Sequence, residues 1–191
     1  MRAWGLNTIG AWSMEPNSVF GTERPTVPYT LIVHTDLFGG LGNLHEMVDP
    51  FSPQFEKSLK STLSREAQKY NGDPNNIRIF VNNELNWVGG LQLPLEVLKL
   101  KNHVPAKRAL HTQLKKRYEN ITKLNRAWGS AFKNFESINQ QGVLTTNAAF
   151  RIDMEAYLSL FAEAFFSKCA QAVNQHFPGH MYLGCRFNVF H

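Results

Sequence analysis

Four short apolar runs recur along the chain, and stretches with helical periodicity lie between them. The runs cover residues 4–10, 29–34, 77–81 and 181–187. Their apolar residues are nearly continuous rather than alternating, which is typical of strands that are covered on both faces. Because helical patterns separate the later runs, the sequence predicts an α/β fold with a parallel sheet.

The helical stretch after the second run has well-defined ends. Ser52 is a residue type that caps helices, and Pro53 suits the first helical position because its missing N–H is not needed there. Apolar side chains then recur at every fourth residue as far as Tyr70. Further helices are predicted at residues 106–118, 121–138 and 151–176, and residues 88–104 are predicted to be irregular.

The composition is that of a globular domain, with 191 residues, of which 43% are apolar and 18% charged. No apolar run approaches the ~18 residues that a membrane helix needs, so we predict no membrane partner. The formal net charge is +5. Seven basic residues cluster in one segment, namely Lys99, Lys101, Lys107, Arg108, Lys115, Lys116 and Arg117. No nucleic-acid-binding motif accompanies them, so we interpret the cluster as a solvated helix face and predict no nucleic-acid partner.

Cysteine and tryptophan positions add little chemistry of their own. Cys169 and Cys185 fit no metal-binding spacing, and both are predicted to be buried as small apolar side chains, with a disulfide as an open alternative. Trp4 and Trp128 lie in apolar patterns and are predicted to be core residues. The sequence offers no metal cluster, and we predict neither a metal nor a cofactor.

Polar residues follow each apolar run at its C-terminal side. The carboxyl ends of parallel strands form the active-site face of α/β enzymes, so these residues are expected to meet at one site. The candidates are Asn7 in the C-terminal half of the first run, His34 at the end of the second, Asn83 and Glu84 after the third, and Arg186 in the last, with Trp12 and Trp87 nearby in the sequence.

The residue types at this site are typical of carbohydrate chemistry. A carboxylic acid such as Glu84 can protonate a glycosidic oxygen, an asparagine can hydrogen-bond a sugar hydroxyl, and an indole can stack on a sugar ring. Simpler interpretations stay open at this point. Glu84 can be a surface carboxylate, Asn83 and Asn7 can satisfy turns, and Arg186 can pair with a carboxylate of the fold.

Six segments follow one another along the chain: WGLNTIGAWS, VPYT, VDPFSPQF, IRIFVNNELNW, ITKLNRAWGSAF and MYLGCRF. In this order they resemble the catalytic domain of the β-agarases of glycoside hydrolase family 50, which belongs to clan A. The resemblance covers nearly the whole chain. It implies a partial (β/α)8 TIM barrel in which the four runs are roughly strands 2 to 5.

The resemblance also implies an activity, namely retaining hydrolysis of β-1,4 linkages in agarose to neoagaro-oligosaccharides. Glu84 would be the general acid/base and Asn83 its sugar-binding neighbour. The implied partner is a polysaccharide, agarose or a related galactan, and no cofactor is needed. A polysaccharide too large to enter a cell implies a secreted or periplasmic bacterial enzyme.

Two departures from that family pattern stand out. Asn82 occupies a position where an aspartate is expected, which affects the hydrogen bonds expected to orient Glu84. The nucleophile of the family is a glutamate at the end of the seventh strand, which falls outside residues 1–191. We therefore expect residues 1–191 to be a single incomplete catalytic barrel domain, truncated at both ends, since a complete barrel takes ~250 residues.

Three alternatives remain open. ITKLNRAWGSAF also resembles the β-galactosidases of glycoside hydrolase family 42. A non-catalytic carbohydrate-binding protein would keep the tryptophans, Asn83 and Arg186 without using Glu84 as an acid. Nucleic-acid binding through the basic segment would weaken steeply with salt.

We expect the 191-residue chain by itself to be inactive on agarose and prone to aggregate, because an open half-barrel has unpaired strand edges and an uncovered apolar sheet face. The measurement is size-exclusion chromatography of the purified chain, together with an assay for oligosaccharides released from agarose. Release of oligosaccharides would contradict this expectation.

Overall fold

A parallel sheet carries the candidate site. The computed structural model describes residues 2–10, 26–35, 47–85, 87 and 90–187. Strands β1 (Tyr29–Val33), β2 (Asn76–Val81) and β3 (Met181–Tyr182) pair in parallel in the order β1-β2-β3. The predicted α/β fold with a parallel sheet is therefore confirmed.

The first predicted strand, over residues 4–10, is wrong in extent. Arg2–Trp4 forms a single 3-10 turn, and Ile9 makes an isolated parallel bridge to Tyr29. Two backbone hydrogen bonds hold this bridge, from Ile9 N to Pro28 O at 2.8 Å and from Thr30 N to Ile9 O at 3.2 Å. The apolar residues before Ile9 form no strand pairs in the described part of the chain. The prediction that Trp4 is a core residue is wrong, because Trp4 is 85% exposed.

Five α-helices lie in the described part of the chain. They are α1 (Pro53–Tyr70), α2 (Gln92–Lys99), α3 (Pro105–Tyr118), α4 (Ile121–Trp128) and α5 (Ala148–His176). Within the described ranges, no helix is long and apolar enough to cross a membrane. Ser52 caps α1 as predicted, because its Oγ accepts a hydrogen bond from the backbone N–H of Gln54 at 3.1 Å.

Two helix predictions need correction. The helix predicted over 121–138 ends at Trp128, since Gly129 adopts a left-handed conformation with φ 65° that terminates α4. Residues 92–99, predicted to be irregular, form α2 with one buried apolar face. That short face spans barely two turns, so its periodicity is weak in the sequence.

The chain forms two compact units. The first comprises residues 1–36, 57–85 and 167–189, and the second comprises residues 37–56, 86–166 and 190–191. The prediction of a single incomplete barrel domain stays a prediction.

In the first unit, Cys169 and Cys185 are buried as predicted and form no disulfide. Burial raises the pKa of the Cys169 thiol to about 12.

A buried carboxylate organises the helices of the second unit. Asp153 of α5 is fully buried and accepts hydrogen bonds from Trp128 Nε1 at 2.8 Å and from the Tyr118 hydroxyl at 2.6 Å. Arg117 Nε lies 3.0 Å from its other oxygen. Burial and the hydrogen bond to Asp153 raise the pKa of Tyr118 to about 12. One side chain therefore joins α5 to α3 and α4, and Trp128 is a core residue as predicted.

Replacing Asp153 with alanine should lower the free energy of unfolding by about 3 kcal/mol, because it leaves buried donors on Trp128 and Tyr118 without an acceptor. Urea unfolding of wild type and variant measures the difference. Glu155→Ala, at an exposed position of the same helix, is the control and should change stability by less than about 0.5 kcal/mol. Equal effects of the two substitutions would contradict the role assigned to Asp153.

Candidate active site

A buried amide joins the carboxyl ends of β1 and β2. The Asn82 side chain is fully buried, and its Oδ1 accepts hydrogen bonds from the Thr35 backbone N–H at 2.8 Å and the Thr35 hydroxyl at 3.0 Å. Its Nδ2 lies 2.8 Å from the same hydroxyl, and its backbone N–H donates to Val33 O at 2.8 Å. Asn82 thus fixes the position at which both strands end.

The expected effect of Asn82 on the hydrogen bonds that orient Glu84 stays a prediction. In the described structure the Asn82 side chain bonds Thr35 across the sheet. An asparagine serves there because its amide offers both a donor and an acceptor without a buried charge. Sequence reasoning missed Thr35 as its partner, since the two residues are far apart in the chain.

Hydrogen bonds join the residues just after β2 to a residue just after β3. The residues are Asn83 and Glu84 on one side and Arg186 on the other. Asn83 and Arg186 form an isolated parallel bridge, and Arg186 Nη1 donates to Asn83 Oδ1 at 3.0 Å. The backbone N–H of Glu84 donates to the carbonyl of Arg186 at 2.8 Å. The Glu84 side chain is exposed, so its carboxyl group is accessible from solvent.

The backbone at this point is in an unusual conformation. Asn82 has φ 63° and Glu84 has φ 49°, both in the left-handed region. Asparagine tolerates that region, whereas glutamate seldom adopts it. Strained backbone of this kind costs ~1–3 kcal/mol per residue and clusters at functional sites. The hydrogen bonds of Asn82 and the Arg186 carbonyl hold the turn in place.

The remaining predicted site residues fall in different places. His34 is exposed directly after β1, at the same edge of the sheet as Glu84. Asn7 does not lie at that edge, because Ile9 pairs with Tyr29 at the start of β1 and Asn7 precedes Ile9. Its side-chain oxygen accepts from the Thr8 hydroxyl at 3.1 Å. Trp12 lies outside the described residues.

Trp87 packs in an aromatic cluster of the second unit. Its ring stacks on Phe166 with centroids 5.4 Å apart, and it makes edge contacts with Phe161 at 6.3 Å and Phe165 at 5.6 Å. These phenylalanines cover indole surface on which a sugar was expected to stack. The sugar-binding role of Trp87 stays a prediction, and packing is the role that its contacts support.

The sequence of this chain matches one family model and several known proteins. A family model for glycoside hydrolase family 42, described as beta-galactosidase, matches residues 40–183. The chain belongs to that family. It is also 28% identical to Beta-agarase B of Vibrio sp. (strain JT0107), over 96% of this chain and 20% of the relative. The chain spans about a fifth of the length of the curated relatives it matches.

Two solved structures share the fold. A structure described as an exo-beta-agarase has a TM-score of 0.83 at 24% identity, covering 97% of this chain and 26% of the other. The agarase AgWH50C has a TM-score of 0.80 at 26% identity, covering 96% of this chain and 28% of the other. Such neighbours are TIM-barrel glycoside hydrolases. The predicted resemblance to the β-agarases is therefore confirmed.

Replacing Glu84 with asparagine should give a more stable protein than replacing it with glutamine, by about 0.5–1 kcal/mol, since asparagine accepts a positive φ more readily. Glutamine keeps the length of the native side chain and serves as the matched control. Urea unfolding of both variants measures the difference. A glutamine variant as stable as the asparagine variant would show that the turn stores no such strain.

Proposed function

We propose that this chain supplies part of the barrel of a retaining β-agarase-like glycoside hydrolase, roughly strands 2 to 5, with Glu84 as general acid/base. The observation that carries the proposal is the turn after β2. There Glu84 leaves the sheet with its backbone N–H bonded to Arg186 O, beside the hydrogen-bonded pair Asn83–Arg186. The β-agarase relatives support the same assignment.

The proposed chemistry uses Glu84 twice. Its carboxyl group first donates a proton to the departing glycosidic oxygen while a second carboxylate attacks the anomeric carbon. The resulting Glu84 carboxylate then removes a proton from the water that hydrolyses the glycosyl-enzyme intermediate. The attacking carboxylate lies ~5 Å away in retaining enzymes and is proposed to come from a segment outside residues 1–191.

Asn83 is proposed to bind a sugar hydroxyl next to the cleaved bond. The guanidinium of Arg186 donates to its Oδ1, which fixes the rotamer of the amide. The amide Nδ2 is then available as a donor towards substrate. Arg186 acts in this scheme as a positioning residue for Asn83. His34 is exposed at the same edge and is proposed as a further substrate contact.

Agarose is the proposed substrate, and the enzyme is proposed to be secreted or periplasmic, because the polymer is too large to enter a cell. The family match described as beta-galactosidase supports one alternative, a β-galactosidase that uses the same acid. Both activities break a bond to galactose through the same pair of carboxyl groups. They differ in whether a polymer or a small β-galactoside is the better substrate.

Glu84→Gln in the intact protein should reduce the rate of agarose hydrolysis by ~10²–10⁴-fold, because glutamine cannot transfer a proton. Binding to agarose should remain. Reducing-end release from agarose and hydrolysis of a chromogenic β-galactoside measure the two activities in parallel. Glu96→Gln is the control, since Glu96 lies on α2 in an exposed pair with Lys99.

The outcomes separate the candidate functions. Faster turnover of the chromogenic substrate than of agarose favours the β-galactosidase. A Glu84→Gln variant with undiminished turnover contradicts the role of Glu84 as acid. Agarose binding by a wild-type protein that turns over neither substrate favours a non-catalytic carbohydrate-binding protein.

A further inference from the structure

The positive charge of the chain is concentrated in one segment of the second unit. Residues 99–126 contain nine lysines and arginines and one acidic residue, whereas acidic residues outnumber basic ones in the rest of the chain. The segment runs from the end of α2 through α3 into α4. This small part of the surface therefore carries the whole formal net charge of +5, as is typical of a surface that binds a partner of opposite charge.

Ion pairs within the fold account for only part of these cations. Four of them pair with carboxylates, namely Lys99 with Glu96, Lys115 with Glu136, Arg117 with Asp153 and Lys123 with Glu119. Lys107 is buried and donates to the carbonyl of Leu98. Four more are exposed and have no carboxylate partner within the described ranges, namely Lys101, Arg108, Lys116 and Arg126.

Exposed cations follow one face of α3. Arg108, Lys115 and Lys116 are seven and eight residues apart, a spacing that places them on the same side of a helix. The Cα atoms of Arg108 and Lys116 are about 12 Å apart along the helix axis. Lys101 is exposed in the turn that precedes the helix, where its carbonyl accepts from the Val104 N–H at 3.0 Å. Lys101, Arg108, Lys115 and Lys116 are called the basic row below.

The stability of α3 does not explain the first two members of the basic row. Cations are favourable in the last turn of a helix but unfavourable at its positive N-terminus. Lys101 precedes this N-terminus, Arg108 is the fourth residue of the helix, and the first turn contains no acidic residue. Asp49 offsets only the buried side, where its Oδ2 accepts from the Ala106 backbone N–H at 2.9 Å. An anion at the exposed side would therefore be stabilised by both the side chains and the helix dipole.

The surroundings of the basic row favour one class of polyanion. Residues 99–126 contain no tryptophan or phenylalanine, and Leu110 and Leu114 of α3 are buried. A membrane-binding helix would expose such apolar side chains beside its cations, and single-stranded nucleic acid would need aromatic rings on which to stack. A linear polysaccharide with repeated anionic groups needs only exposed lysines and arginines in a row.

We propose that the basic row is a docking surface for a galactan that carries sulfate groups. The inference rests on the proposed function, because it takes the docked polymer to be an anionic relative of the galactan that is cleaved. Docking would hold the polymer at the enzyme between cleavage events and so raise the local concentration of substrate.

The test measures binding of the intact protein to immobilised κ-carrageenan, a sulfated galactan. Replacing Lys101, Arg108 and Lys116 together with glutamine should weaken binding at least ~10-fold at ~50 mM salt, because binding to a polyanion depends on the number of cations that displace its counterions. Binding of wild type should also weaken steeply as salt is raised to ~200 mM. Lys116→Gln alone should weaken binding about 2–3-fold, in the same direction.

The matched control replaces Lys57, Lys60 and Lys69 with glutamine. These exposed positions lie on α1, so the control removes the same net charge from another helix. It should change binding less than ~3-fold, because screening by salt limits the reach of exposed charges.

A second measurement checks that the variants are intact. The rate on neoagarotetraose and the thermal midpoint should match those of wild type in both triple variants, since the substituted residues are exposed and lie outside the proposed catalytic site. A wild-type protein that hydrolyses neither agarose nor neoagarotetraose would contradict the proposed function, whereas binding to κ-carrageenan would still report on the basic row.

Three results would overturn the docking surface. Wild type that binds κ-carrageenan no better than neutral agarose would show that the basic row takes no sulfated galactan. Equal losses in the two triple variants would show that net charge acts without a defined surface. Tighter binding to duplex DNA than to κ-carrageenan at the same salt would assign the basic row to nucleic acid.

Discussion

The hydrogen bonds between Asn82 and Thr35 are the interaction on which the candidate site depends. They tie Asn82, the first residue after β2, to Thr35, the second residue after β1, and both residues are buried. Buried polar pairs of this kind are costly to leave half satisfied and therefore specify one geometry. Because Asn82 is held in place, the position from which the chain continues to Glu84 is also fixed.

In the turn after β2, the backbone of Glu84 is strained and its side chain is exposed. Glu84 has a positive φ and an exposed carboxyl group, and its backbone is held by Arg186 O rather than by side-chain packing. A more stable choice for the same backbone would be asparagine or glycine. A glutamate at this position therefore lowers local stability relative to either of those residues.

Asparagine side chains at the two edges of the sheet differ in whether their amides are hydrogen-bonded. At the carboxyl edge, the Asn82 amide is satisfied and Asn83 Oδ1 accepts from Arg186. At the amino edge, the Asn76 amide is buried without a described partner. The same residue type is therefore satisfied by groups of the fold at one edge, and at the other edge its amide has no partner in the described part of the chain.

Local pattern in the sequence determined the parallel α/β sheet, the cap of α1 at Ser52 and the position of Glu84 after a buried strand, because each depends on residues close together in the chain. Only the tertiary structure decided which polar residues meet. It paired Thr35 with Asn82 and Asn83 with Arg186, placed Asn7 away from the carboxyl edge of the sheet through the register of Ile9, and placed Trp87 among phenylalanines. Register and side-chain partners depend on contacts between distant segments, and no periodicity within one segment encodes them.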